Sequence, residues 1–589
     1  MTSATGGARV GSSASPSTGK IRVPAAWLAV TACVVFASCW DLGGYALLEP
    51  DEGRNAEVAR EMARGGDWVL PHLNGLPYLD KPAPYFAAVA LGIKAFGESA
   101  GGARAASLVL VLGTMVIVWR LGRRLGPPGT GAIAAVALMT MPLPFAYSRT
   151  VIPDPALLFL ETAALAAAWR GFEETPPAQR WFALSWALLG IGVITKGPVA
   201  VIVPLLILAA WGFTSGVRLR RYFALRAWPS VLITSLPWLI AVSLRRPDFL
   251  HYAIVYESLG RVATTAHGRA GPIWFFVPVV LAGSFPWIVP AIAGLVEAWH
   301  RRATRRSPQG RAVVFTLAWA VMPVVFFSFP QSKLAGYCLP AFPGVALGAA
   351  LFLAHALRDE ALHTAAVRSV RIATAVMLAL GCLLPASTLF VGALPGLAAP
   401  VRAAIPAAAI AFAGVLIVAA AVAAWSARRR SIWVGAAALA LPVAAVPFLA
   451  SPLMQAIGRD RSSLDLAAAI ERAAPGARIV GVAVYPTSLR YYLDRPILMT
   501  TDNGEEMTSH YVGSRYDEFR DLAESPLRPV DWWRTALDAC TQPTVFLVRA
   551  GRPEAAALAA RLPRIASGGA AGKVIAFGPC RAPAAQEVR

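Results

Sequence analysis

The sequence predicts a polytopic α-helical membrane protein of about thirteen transmembrane helices, followed by a small C-terminal α/β domain. Three observations carry this. Of 589 residues, 57% are hydrophobic and 15% charged, against roughly 45–50% and about 25% in soluble chains. The apolar residues gather in runs, most of them near the length that crosses a hydrocarbon core of about 30 Å. The basic residues, which leave a formal charge of +21, fall in short clusters between those runs, as topology determinants do. Such scattered clusters are not the basic patch on one folded face that nucleic acid requires, so nucleic acid is not an expected partner and membrane lipids are.

Residues 1–23 read as a disordered cytoplasmic tail, rich in Ser, Gly, Ala and Thr and without an acid. Lys20 and Arg22 precede the first apolar run, and no small-residue cleavage site ends it, which reads as an uncleaved signal anchor. Residues 24–456 form the membrane domain. Its thirteen runs are 25–47, 103–120, 130–147, 154–170, 181–195, 198–213, 228–244, 272–295, 311–329, 334–354, 371–392, 403–425 and 431–450. Pro142, Pro204, Pro290 and Pro323 lie inside runs, where neighbouring helices re-satisfy the freed carbonyls.

Basic clusters mark alternate connections: Arg123-Arg124, Arg170 with Arg180, Arg218 to Arg226, Arg301 to Arg311, Arg358 to Arg371, and Arg428-Arg429-Arg430. The positive-inside rule assigns these to the cytoplasm. The connections 48–102, 148–153, 196–197, 245–271, 330–333 and 393–402 are then periplasmic. The apolar stretch 83–96 would invert every later cluster if it crossed, so it reads as an interfacial or re-entrant helix of the first periplasmic loop, 48–102. Residues 457–589 alternate strand-like runs (478–484, 496–500, 544–549, 573–577) with helical ones (462–473, 487–492, 553–562), the pattern of a periplasmic α/β domain. Cys540 and Cys580 lie there and are able to pair in an oxidising compartment. The other four cysteines sit in apolar runs as small core residues.

Polar residues converge on the periplasmic side. The stretch from Glu49 to Met62 opens with acids, which favour a helix N-terminus, and its spacing puts Glu57 and Glu61 on one face with Arg54 and Arg60 near them. A solvated amphipathic helix is the plain alternative for this stretch. Tyr78, Asp80 and Lys81 close the first half of the loop. Asp154 sits between two prolines at the mouth of a span, where it also suits a helix cap. Lys196, Glu257, Arg261, Lys333 and Tyr337 lie on the same side. Carboxylates, lysines and arginines at one membrane boundary suit an anionic lipid-linked substrate. The cations hold phosphate and a carboxylate serves as general base.

The string Pro50-Asp51-Glu52-Gly-Arg54-Asn-Ala-Glu57-Val-Ala-Arg-Glu61-Met, with Gly66-Asp67-Trp68, Tyr78-Leu-Asp80-Lys81-Pro82, Asp154-Pro155, Thr195-Lys196-Gly197, Arg246-Pro-Asp248-Phe-Leu-His251-Tyr252 and Lys333-Leu-Ala-Gly-Tyr337, resembles the lipid A aminoarabinose transferases. These belong to the GT-C superfamily together with protein O-mannosyltransferases. The resemblance implies a GT-C glycosyltransferase that moves a sugar, 4-amino-4-deoxy-L-arabinose or a related one, from undecaprenyl phosphate to lipid A or another envelope acceptor. It places Asp51 and Asp154 as the catalytic acids. Arg54, Tyr78, Lys81 and Tyr337 surround the donor phosphate or sugar, with Arg261 and Lys333 completing the cationic set. Glu52, Glu57, Lys196 and Glu257 support them. The family's metal site would use Asp80, but Ser258 stands where its loop histidine is usual, and no other cofactor is implied. The alternatives are transfer to a protein hydroxyl or another envelope glycan, and a lipid-linked sugar transporter, for which internal repeats and midplane charges would speak.

Overall fold

Each of the thirteen apolar runs forms helix in the computed structural model, which describes residues 23–176, 178–260, 271–300, 305–569 and 573–580, with backbone alone for 257–260. The first ten helices are α1 (Ala26–Cys39), α2 (Asp51–Ala63), α3 (Ala83–Phe96), α4 (Ala100–Leu125), α5 (Thr130–Met139), α6 (Pro142–Tyr147), α7 (Asp154–Glu173), α8 (Gln179–Lys196), α9 (Val199–Ser215) and α10 (Ser230–Arg245). Beyond them come Phe276–Gly283, Ile288–His300, Pro308–Ser328, Phe342–Ala356, Glu360–Ser387, Ala399–Arg428 and Ile432–Leu449.

Two runs are not single rods. The run 130–147 divides into α5 and α6 at Pro142, which brings no N–H to continue the ladder. The run 272–295 bends by 111° at a break that contains Pro286. Among the described residues, six helices are long and apolar enough to cross a membrane, or seven if the bent pair is one span. The shorter helices complete the bundle around an aromatic centre in which Trp169, Trp211, Phe315 and Trp319 pack with ring centroids 4.9, 5.4 and 5.5 Å apart.

The C-terminal segment builds one mixed sheet from β3 (Arg478–Val482), β4 (Ile497–Thr500), β5 (Leu527–Arg528), β6 (Thr544–Arg549), β7 (Arg564–Gly568) and β8 (Val574–Cys580), in the order β5-β4-β3-β6-β8-β7. The first four in that order are parallel, and β8 and β7 continue the sheet antiparallel. Central β3 and β6 are buried on both faces, hence their unbroken apolar runs. The edge strands β5 and β7 escape sequence reading because one is two residues long and the other, Arg-Ile-Ala-Ser-Gly, is short and polar, as edges tend to be.

The two faces of this sheet differ. One packs Val480, Phe546, Trp533, Leu537 and Leu558 around the Cys540–Cys580 disulfide. The other face, with Leu466, Ile479 and Leu547, shares a single apolar core with Val58, Tyr85 and Phe86 of α2 and α3. The first loop and the sheet are therefore folded against each other, and the loop's helices are not solvated. A tight hairpin, β1 (His72–Leu73) and β2 (Leu76–Pro77), turns through Asn74 and Gly75 at φ of 56° and 79°, the Asn-Gly signature of a two-residue turn.

Candidate active site

Helix α2 starts where the site starts. Asp51 and Glu52 fill its first turn, at the positive end of the helix dipole, yet their surroundings are opposite. Glu52 is buried. It accepts from Arg104 Nε at 3.0 Å and Nη2 at 2.8 Å, and from the Leu48 and Val151 amides at 3.0 and 3.1 Å. Arg104, on α4, spends its remaining hydrogens on the carbonyls of Leu42, Tyr45 and Ala46 and stacks on the Tyr45 ring at 3.7 Å. Glu52 thus fixes the start of α2. Asp51, one residue back, has a side chain 50% exposed and a 2.5 Å ion pair to Arg54 Nη2.

Arg54 bridges inward from Asp51. Its Nη1 donates to Thr508 Oγ1 at 2.6 Å and to the Thr508 carbonyl at 3.2 Å, and its guanidinium lies 6.0 Å from the Tyr78 ring. Tyr78 is buried and Lys81 half-buried. Between them in the chain, buried Asp80 accepts from the Tyr252 hydroxyl at 2.5 Å and the Tyr511 amide at 3.1 Å. Glu57 is farther along α2 and faces the sheet domain, held by Arg60 at 2.9 Å and Arg490 at 2.7 Å.

Asp154 begins α7 and Lys196 ends α8, so each sits at the dipole end that favours its charge. They pair at 2.7 Å, both largely buried. Lys196 lies 5.3 Å from the Tyr337 ring. Gly336 is needed here by close approach: a Cβ on it would lie 2.5 Å from the Tyr147 hydroxyl and 2.6 Å from Asp154 Oδ1. Asn55 of α2 donates to the Val151 carbonyl at 2.7 Å and Glu52 accepts from the Val151 amide at 3.1 Å, which ties the start of α2 to the segment that leads into Asp154. Lys333 is buried nearby in sequence but is spent locally, donating to the Ser328 and Pro330 carbonyls at 2.8 and 2.7 Å. It caps the helix Pro308–Ser328, and only one of its three hydrogens is left for a ligand. Glu257 lies in the π-helix Tyr252–Gly260 with its side chain outside the described residues, and Arg261 lies outside them altogether.

Residues 80–241 match the family model of dolichyl-phosphate-mannose-protein mannosyltransferases. A curated undecaprenyl phosphate-α-4-amino-4-deoxy-L-arabinose arabinosyl transferase of Edwardsiella ictaluri is 31% identical over 333 residues, 55% of this chain and 58% of that relative. Its namesake in Pseudomonas aeruginosa strain PAO1 is 32% identical over 326 residues, 54% of this chain and 56% of that relative. The chain thus matches rather more than half the length of these curated relatives. The crystal structure of ArnT from Cupriavidus metallidurans bound to undecaprenyl phosphate is similar with a TM-score of 0.79 at 23% identity, covering 95% of this chain and 98% of that one. The fold is that of ArnT.

In this ArnT-like chain the metal expected at Asp80 finds no set of ligands among the described residues. Asp80 Oδ1 already carries two hydrogen bonds, and Oδ2, though buried without a partner, is a single donor. Among the described residues no three His, Cys, Asp or Glu side chains group to hold an ion. Among the described residues Asp80 has no companion ligands, and tyrosine and amide hydrogens tie its Oδ1.

Sequence reading missed Thr508, Tyr511, Tyr147 and Glu161. Thr508 lies 454 residues from Arg54 and Tyr511 431 from Asp80, in a polar segment that carries no period. Tyr147 looked like one more aromatic at the end of a span. Glu161, two turns along α7 from Asp154, is buried with both carboxylate oxygens lacking a hydrogen-bond partner, and Lys196 is the charge that acts on it. A lone acid inside an apolar run was the signal that marked it. An apolar cleft of about 660 Å³ runs between the helices Ile288–His300, Pro308–Ser328 and Phe342–Ala356 and includes none of the site residues. Its lining suits hydrocarbon rather than headgroups.

Proposed function

We propose that this protein is a glycosyltransferase of the bacterial inner membrane that moves 4-amino-4-deoxy-L-arabinose, or a closely related sugar, from undecaprenyl phosphate to lipid A on the periplasmic face. It crosses the membrane thirteen times, the shorter helices included, with its active site and α/β domain in the periplasm. The observation that carries the reading is a half-exposed Asp51 paired with Arg54 at the start of α2, beside the segment that leads into the buried Asp154–Lys196 pair, inside an ArnT fold. The relatives' names and the undecaprenyl phosphate held by the Cupriavidus protein support the donor class. The Cys540–Cys580 bond suits an oxidising compartment.

The donor's leaving group is a phosphate. It needs charge stabilisation rather than protonation, and Arg54 and Lys81 supply it, with Arg261 as the further cation that the sequence offers. Asp154 is already neutralised by Lys196, so it positions that lysine and the ring of Tyr337 and is not the base. Asp51 is the carboxylate open to an acceptor. A lipid A phosphate is itself an anionic nucleophile, which Asp51 orients. A hydroxyl acceptor, as the match to protein mannosyltransferases would favour, requires Asp51 as general base.

The deciding experiment is mass spectrometry of lipid A from cells with and without the protein. An aminosugar on phosphate, lost with the protein, is expected; unchanged lipid A with a lost glycoprotein signal would move the acceptor to protein. In the same cells Asp51→Asn, inserted normally, should lower transfer by about 10²–10⁴-fold, the usual worth of a positioned acid or base. Transfer near the parent rate would remove Asp51 from the mechanism.

A further inference from the structure

We infer that the α/β domain is a working part of the donor site, and that Thr508 and Tyr511 are positioning residues for Arg54 and for the Asp80–Lys81 pair. This rests on the reading of Arg54 and Lys81 as the phosphate-holding cations.

The geometry has three parts. Thr508 offers one guanidinium nitrogen two acceptors at once, its Oγ1 at 2.6 Å and its carbonyl at 3.2 Å. To do so it sits at φ 54°, ψ 34° after the turn Glu505–Met507. That left-handed conformation is an outlier for a β-branched residue, and such conformations persist where surrounding structure over-determines them. Here it turns hydroxyl and carbonyl to the same side. Arg54's other arm goes to Asp51 at 2.5 Å. The guanidinium is therefore clamped between the acid exposed to the acceptor and a residue 454 positions away.

Three residues on, the Tyr511 amide donates to Asp80 Oδ1 at 3.1 Å while the Tyr252 hydroxyl donates to the same oxygen at 2.5 Å. The Tyr511 hydroxyl donates to Asp248 at 2.8 Å and accepts from Arg246 Nε at 2.8 Å. One buried tyrosine thus links the loop that carries Lys81, the loop that leads to Arg261, and the sheet domain.

The same domain also holds the entry to α2. Glu49 accepts from the Ser463 hydroxyl at 2.7 Å and from the Ser488 amide at 3.0 Å. A Cβ on Gly53 would lie 2.8 Å from Ser488 N, so the helix and the domain touch backbone to backbone. A domain that served only as a cover would not need to reach both cations' neighbourhoods, through Thr508 in a left-handed conformation and through the fully buried Tyr511.

The test compares full-length protein in detergent carrying Thr508→Val, Thr508→Ser or Arg54→Lys, and the double variant of Thr508→Val with Arg54→Lys. Two readouts are taken: binding of undecaprenyl phosphate, and transfer from the lipid-linked aminosugar. Thr508→Val removes a hydrogen bond to a charged group and should weaken carrier binding and kcat/KM by about tenfold to a hundredfold, while Thr508→Ser stays within about threefold of the parent on the same scale. In the Arg54→Lys background, Thr508→Val should add little, because residues that act through one another are not additive. A valine variant as good as the parent, or full additivity in the double variant, overturns the inference. Equal losses in the serine and valine variants also overturn it, since they assign Thr508 a purely structural part. A parent that binds undecaprenyl phosphate without transferring sugar defeats the proposed function and leaves the positioning to be read from binding. A parent that does neither defeats both.

Discussion

Arg104 is fully buried on a membrane helix, and every one of its contacts serves to hold Glu52 and the turn before α2. Burying two charges is costly, and such a pair is tolerated only where geometry and further hydrogen bonds compensate. The compensation here is complete on the arginine side, and Glu52 adds two backbone amides. Removing one partner leaves the other charge stranded. Arg104→Met should therefore destabilise by about 3–5 kcal/mol, seen as a fall in thermal midpoint in detergent, while Arg104→Met combined with Glu52→Leu should recover much of it. A double variant no more stable than Arg104→Met would show that the pair's partners, not its charges, matter. Transfer should stay low in the recovered double variant, because nothing then fixes the turn that presents Asp51. Composition and spacing separated none of this: Asp51 and Glu52 are adjacent acids in one motif, told apart only by the resemblance, and burial supplies the physical difference between the acid that anchors and the acid that stays open.

At the scale of elements, the apolar runs were legible because lipid demands them, and their breaks at Pro142 and Pro286 follow from a missing N–H. Helical spacing had set Arg54 and Arg60 beside Glu57 and Glu61; Arg60 does pair with Glu57, while Arg54 turns to Asp51. Asp154 and Lys196, 42 residues apart, were legible only as groups on the same side. What was not legible is how α2 and the sheet domain lock together, since those contacts join segments with no shared period. The lock has a titratable edge. Asp494, at the end of the short helix Leu489–Leu493, pairs with Arg60 at 2.8 Å and with Arg64, which is itself held by Glu98. The Arg64 hydrogen bond, with the charge of Arg60, holds the Asp494 carboxyl below its usual range. A lowered folded-state value stabilises the docked form above the ordinary aspartate range, and this is lost as the pH falls through the lowered value. The gap in thermal midpoint between the parent and Asp494→Asn should hold steady from about pH 7 to 5, start to narrow near pH 4, the unperturbed aspartate value, and close only as the pH falls through the lowered value. A gap that does not narrow at all as the pH is taken down from about 4 would take Asp494 out of the lock.

For the whole molecule, the positive-inside assignment and the packing of the site bear on each other. Asp51, Asp154, Lys196 and the domain contacts of Arg54 gather at one end of the bundle, and that is where the assignment had put the poorly basic connections. The basic clusters near Arg180, Leu225 and Arg430 then belong at the opposite membrane surface. This yields a test independent of activity. Single cysteines are placed at exposed positions, Trp68, Leu334 and Asp517 on one side and Arg180 and Leu225 on the other, with Cys33, Cys39, Cys338 and Cys382 replaced and Cys540–Cys580 left intact. A membrane-impermeant maleimide applied to spheroplasts should label the first three and spare the last two, and inverted vesicles should give the reverse. Odd parity of spans between Trp68 and Arg180 is what the assignment requires, so labelling of both from one side would remove α3 from the interface or add a crossing. Labelling of Trp68 and Leu334 from opposite sides would do more. It would put Asp51 and Tyr337 in different aqueous compartments, and no packing of this bundle would then allow one lipid headgroup to reach both.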